Sequence, residues 1–147
     1  MATREELYAK FGIAAEAGQL FETDLGTFLL GLEGLANDWQ RTSDKSAATE
    51  FYAKMNRKTL GQLYRSVKDH VHFDESIAEK LEAGLRARNL LNHGFYLRHD
   101  FSIQTDEGRD RMLEDLEQLH IQLFDAWQVA QKLAEAFTDV LSSTRST

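Results

Sequence analysis

Two apolar stripes, one opening the chain and one closing it, most constrain what this sequence can fold into. Leu7, Phe11, Ala14, Gly18, Phe21, Leu25, Phe28, Leu32 and Leu35 recur at alternating spacings of four and three. Met112, Leu116, Leu119, Leu123, Ala126, Ala130, Leu133, Phe137 and Val140 do the same near the other end. Such spacing keeps side chains on one face of an α-helix. It predicts a first helix near residues 4–39 and a last helix opened by Thr105 or Asp106. Leu113, Phe124, Trp127 and Leu141 widen the last stripe, so more than one neighbour packs on it. At 1.5 Å per residue each helix is about 50 Å long.

The 147 residues contain no proline and no cysteine. The first absence favours helix throughout. The second excludes a disulfide framework and a thiolate metal site and fits a reducing compartment. No apolar run reaches the length of a membrane span, and the first residues do not read as a signal peptide. The expectation is a soluble, cytoplasmic protein with no membrane association.

Between the long helices the pattern is shorter. Thr42–Ser46 is a polar break, and an amphipathic piece follows over Ala47–Met55. Thr59 with Gln62 forms a capping box for a second principal helix, with Leu60, Leu63, Val67 and Val71 inward. Thr3 with Glu6 offers the same device to the first helix. Ser76 with Glu79 caps a third helix through Asn92, with Gly94 as its left-handed terminator. Residues 95–105 read as a loop, and Ser142–Thr147 as a frayed tail after one domain over 1–141. The fold class is all-α: an up-down four-helix bundle with two long outer helices and two shorter central ones. The long helices leave apolar surface that dimerisation would cover.

The third helix carries Ile77, Leu81, Gly84, Arg88 and Leu91 on its stripe, which turns Arg88 inward beside a small Gly84. A buried guanidinium needs a partner. One solution is a carboxylate from another helix, with Glu22 and Asp24 as candidates. The other is a phosphate. His93 ends the same helix, where a histidine also complements the helix dipole. A fixed cation beside a group that titrates near neutrality suits phosphodiester chemistry, and Asn89 and Asn92 add donors. Five residues turn a helix by about 140°. Arg88 and His93 therefore share a site only if the helix end unwinds or a second subunit completes it.

Charge adds a locale. The formal net charge is −7, yet residues 51–68 and 83–99 hold Lys54, Arg57, Lys58, Arg65, Lys68, Arg86, Arg88 and Arg98 with no acid. The other 112 residues hold nine basic and 24 acidic side chains, a net −15. A basic face on an acidic body can hold a phosphate chain.

Arg88-Asn89-x-x-x-His93 at the end of the third helix resembles the motif of the HEPN superfamily, arginine and histidine separated by four to six residues with a polar residue after the arginine. Gln19-Leu20-Phe21-Glu22, Thr59-Leu60-Gly61-Gln62-Leu63 and Asp106-Glu107-Gly108-Arg109 are also similar to bacterial members, so the resemblance covers most of the chain. It implies a metal-independent endoribonuclease without cofactor, acting as a homodimer whose two motifs face each other across a cleft. Arg88 would bind the phosphate and Asn89 would orient the pair. His93 would move a proton as the RNA 2′-hydroxyl attacks, leaving a 2′,3′-cyclic phosphate. Asn92, Arg86, Arg98, His99, Tyr96, Lys58 and Arg65 are the candidate binding residues around that core. One toxin branch carries tyrosine two residues after the histidine; here Phe95 stands there and Tyr96 follows.

Many relatives are toxins or phage-defence components, which implies single-stranded RNA as substrate and a nucleotidyltransferase-like antitoxin as partner. Others are inert RNA- or nucleotide-binding or protein-interaction modules. A further alternative, outside the family, is an acidic immunity or antitoxin-type bundle that binds a basic partner. His70, His72 and His120 match no metal-site pattern.

Overall fold

A computed structural model describes residues 1–37 and 45–145, which are all-helical with no strand among them. The helices are α1 (Arg4–Ala36), α2 (Lys45–Met55), α3 (Leu60–His70), α4 (Glu75–His93), α5 (Phe95–His99) and α6 (Asp106–Arg145), with a 3₁₀ turn over Asp100–Gln104. Thr42, Ser43 and Asp44 of the expected break, residues 38–39 of the first helix and 146–147 of the tail lie outside the described residues. Lys45 and Ser46 open α2, and the tail is helical as far as Arg145. No helix among the described residues is long and apolar enough to cross a membrane.

Local chemistry sets the helix starts. Thr3 Oγ1 accepts the Glu6 N–H at 3.1 Å. Thr59 and Gln62 form the reciprocal capping box, each side chain satisfying the other's backbone N–H. Thr105 Oγ1 accepts the Gly108 N–H at 2.9 Å to open α6. At α4 the cap is Asp74, not Ser76: its carboxylate accepts the Ile77 N–H at 2.9 Å. Aspartate caps as well as serine, and the earlier position starts α4 two residues sooner, about half a turn.

The α1 stripe buries Leu7, Ala14, Gly18, Phe21, Leu25 and Phe28, but Leu35 is 46% exposed. A seven-residue repeat drifts about 20° per heptad on a straight helix. Four heptads beyond Leu7 the stripe has rotated off the core, whereas Leu29, outside the stripe, is fully buried.

α1 and α6 run in the same direction. The Ala2 N–H bonds Asp110, Lys10 bonds Glu117, Asp24 bonds Trp127, and Gly31 meets Phe137 in order along both helices. The expected alternation of four helices would have made them antiparallel. The difference lies in α2, which carries the chain back along α1 until Met55 reaches Gly26. α3 then ascends beside α1, from the cleft shared by Lys58 and Glu22 to a 2.8 Å contact between His70 and Glu33. α4 descends, with Gly84 against Ala126 and Arg88 over Gly18.

Two apolar clusters fill the interior. One joins Phe21, Leu25, Leu29, Leu60, Val67, Leu81 and Ala130, from α1, α3, α4 and α6. The other joins Leu7, Ala14, Leu91, Phe95, Met112, Leu116 and Leu123, from α1, α4, α5 and α6. Fully burying one such side chain stabilises the fold by roughly 1.5–3 kcal/mol. α3 reaches only the first cluster, and that shortfall exposes the end of α4.

Candidate functional site

α4 stays helical through His93, so the helix end does not unwind between Arg88 and His93. Gly94 caps it with φ −142°, its N–H bonding the Leu90 carbonyl at 2.9 Å, and no glycine in the described residues has positive φ. The expected left-handed stop is replaced by a direct step into α5. The expected loop at 95–105 is therefore mostly ordered helix, anchored by Phe95, which is 1% exposed. Asp100, between α5 and the 3₁₀ turn, takes φ 50° and ψ −120°.

Arg88 is the half-buried centre of the site. Its Nη2 donates to Glu22 Oε2 at 3.1 Å, and the two side chains are 21% and 31% exposed. Asp24, the other candidate, accepts the Trp127 indole N–H at 2.8 Å instead. Gly84 is not the residue that makes room for Arg88. A Cβ at Gly84 would overlap that of Ala126, so this glycine lets α4 and α6 close on each other. The Arg88 stem passes over Gly18 instead: a Cβ there would lie 3.6 Å from Arg88 Cγ, an ordinary contact that a methyl would also make. The arginine stem thus crosses α1 at a residue without a side chain and reaches Glu22 one turn later. Arginine carries five N–H donors, and one of them is engaged among the described residues.

The other candidate residues on α4 face outward. Arg86, Asn89, Asn92 and His93 are exposed, and none makes a side-chain hydrogen bond or ion pair among the described residues. Glu82 shares this face two turns earlier, where α3 covers it: the Tyr64 hydroxyl donates to Glu82 at 3.2 Å. Burial, then the nearby Glu82 charge and hydrogen bond, push the Tyr64 hydroxyl up to about 12. Beyond α3 the face is open.

The binding candidates divide. Lys58 lines a cleft of about 370 Å³ whose wall includes Glu22, and its ammonium donates to Ser66 Oγ at 2.8 Å. It therefore approaches Arg88 through a shared neighbour. Arg65 is exposed on α3. Tyr96 packs on Phe11 and Phe95 at 5.3 and 5.2 Å. Burial, then Tyr8, raises its hydroxyl above the usual tyrosine range. Arg98 and His99 turn to Asp115 on α6, at 3.8 and 2.7 Å, and so do not form a free basic rim with Arg88.

Asp115 and Tyr64 are the two participants that sequence reasoning missed. Tyr64 sits at helical spacing between Leu60 and Val67, a signal that was available. Asp115 meets His99 across the α5 turn, a closure that spacing alone does not encode. Among the other histidines, His120 Nδ1 lies 2.9 Å from Lys10 Nζ. Burial and then the Lys10 charge hold it below the ordinary histidine range. No group of three or more His, Asp or Glu side chains that could hold a metal occurs among the described residues.

Comparison of the chain with protein-family models, with curated proteins and with solved structures finds no match.

Proposed function

We propose that the chain is a metal-independent endoribonuclease of HEPN type, a helical bundle that acts on single-stranded RNA as a homodimer. The observation that carries this reading is the open end of α4. Arg86, Asn89, Asn92 and His93 stand exposed and uncommitted there, beside an Arg88 with donors to spare. Because α4 remains helical, Arg88 and His93 diverge by about 140° within one chain. Arg88 of one protomer then works with the partner subunit's His93. Leu97 and Phe101, 83% and 71% exposed just past the motif, are the apolar surface such a partner covers.

In this reading Arg88 binds the scissile phosphate through its free N–H groups, while Glu22 keeps the guanidinium in place. His93 transfers a proton as the 2′-hydroxyl attacks phosphorus and the 5′-oxygen leaves, giving a 2′,3′-cyclic phosphate end. Asn89 orients the pair. A toxin or phage-defence role with a nucleotidyltransferase-like antitoxin follows from the same resemblance. The test is cleavage of single-stranded RNA in EDTA. Wild-type protein cuts, whereas folded Arg88→Ala and His93→Ala do not; cutting retained in both variants overturns the assignment.

A second reading, an inert RNA-binding or interaction module of the same fold, is favoured by one observation. The Glu22 ion pair already satisfies the structural need of Arg88. It predicts RNA binding without turnover in that assay.

A further inference from the structure

The face opposite the candidate site carries a second unassigned feature. Ile13 and Leu20 on α1 are 51% and 36% exposed, and Ile121 and Phe124 on α6 are 48% and 38% exposed. Two ties between these helices bracket the four. Lys10 reaches His120 at 2.9 Å and Glu117 at 2.7 Å on one side. Trp127 donates to Asp24 at 2.8 Å on the other. Ile13 and Leu20 lie about 140° and 160° around α1 from Gly18, which faces Arg88. Ile121 and Phe124 lie at the same angles from Ala126, which meets Gly84 of α4. The four side chains therefore share one seam on the back of the molecule. Phe124 is held there by edge-on packing against His120 and Trp127 at 6.2 and 5.6 Å.

The rim of this ridge is acidic. Glu16, Asp24, Glu117 and Asp125 flank it, and the one lysine within residues 10–24 and 117–128 is Lys10, already held by Glu117. With Glu117 neutralised by Lys10, two ridges of this chain set face to face would still bring six further carboxylates together, which opposes a second copy as occupant. The same charge opposes an anionic membrane surface. The seven-residue step from Ile13 to Leu20 and the three-residue step from Ile121 to Phe124 are those at which a helix presents apolar anchors.

We propose that the α1–α6 ridge docks a basic amphipathic helix of a partner protein, its apolar stripe on Ile13, Leu20, Ile121 and Phe124 and its lysines or arginines on the flanking carboxylates. This stands independently of what the Arg88–His93 face does.

The test is a methyl-NMR titration of the whole chain with a synthetic Leu/Lys heptad helix, using the matching Leu/Glu helix as control. The expected result is shifts concentrated at Ile13, Leu20 and Ile121, affinity falling with added salt, and no response to the Leu/Glu helix. The double variant Leu20→Ser/Phe124→Ser, at exposed positions that leave the core intact, is expected to bind about tenfold more weakly or worse. Its self-association in sedimentation is expected to match wild type. Shifts confined to α4 and α5, equal binding of both peptides, or unchanged affinity in the double variant would overturn the proposal. So would loss of self-association in that variant, which would make a second copy the occupant.

Discussion

Arg88 reaches Glu22 by running its aliphatic stem over Gly18, the one stripe position of α1 without a side chain at that level. Gly18 and Gly84 look alike in sequence, each a small residue on an apolar stripe, yet they do different things. A Cβ at Gly18 would meet Arg88 and Leu123 at ordinary contact distances of 3.6 and 3.7 Å. Gly18→Ala is therefore expected to raise stability by up to about 1 kcal/mol through helix propensity. Gly84→Ala, which drives a methyl into Ala126, is expected to lower it by about 1–3 kcal/mol. Urea denaturation of the two variants measures both signs.

The Arg88–Glu22 pair is itself measurable. Both side chains are mostly buried, so Glu22→Gln leaves the guanidinium without its counter-charge. A double-mutant cycle with Arg88→Met and Glu22→Gln is expected to give a coupling of about 1 kcal/mol. A coupling near zero would mean that the contact contributes nothing to the fold.

Much of this was legible in the chain, for a physical reason. Helix stripes and caps are encoded within a few residues, so α1, α3, α6, the Thr59–Gln62 box and the inward turn of Arg88 could all be read. Glu22 was one of two carboxylates at the right height. What spacing did not carry was closure between distant segments. The cap shifted to Asp74 because aspartate and serine two residues apart compete on nearly equal terms. α5 was hidden because a five-residue helix held by one buried Phe95 has no periodicity to detect. The shared direction of α1 and α6 depended on α2, whose weak pattern gave no hint that it reverses the chain.

Asp100 offers a test of the α5 turn. Its φ of 50° with ψ −120° is a conformation that glycine adopts far more readily than aspartate. Asp100→Gly is expected to stabilise the protein by about 1 kcal/mol, from release of local backbone strain. Thermal unfolding of the variant checks it, and a lower midpoint would contradict it.

The depressed His120 sets a pH dependence. Its folded-state proton affinity lies below that of the unfolded chain, so the unfolded state takes up the proton first as pH falls. The contribution to stability is complete above the unfolded histidine value, about 6.5. It is lost as pH falls from there toward the lower folded value. His120→Gln is expected to flatten the fall in melting temperature between neutral and mildly acidic pH. An unchanged slope would remove His120 as its source.

The most direct measurement of the central claim is to mix two inactive variants. Arg88→Ala and His93→Ala proteins, each unable to cut RNA alone, are exchanged into mixed dimers and assayed on single-stranded RNA in EDTA. If a site draws Arg88 from one protomer and His93 from its partner, half the dimers regain one of two sites. Activity then returns to about one quarter of wild type at equal mixing. Mixed dimers that form and yet stay inactive would contradict a site shared between subunits.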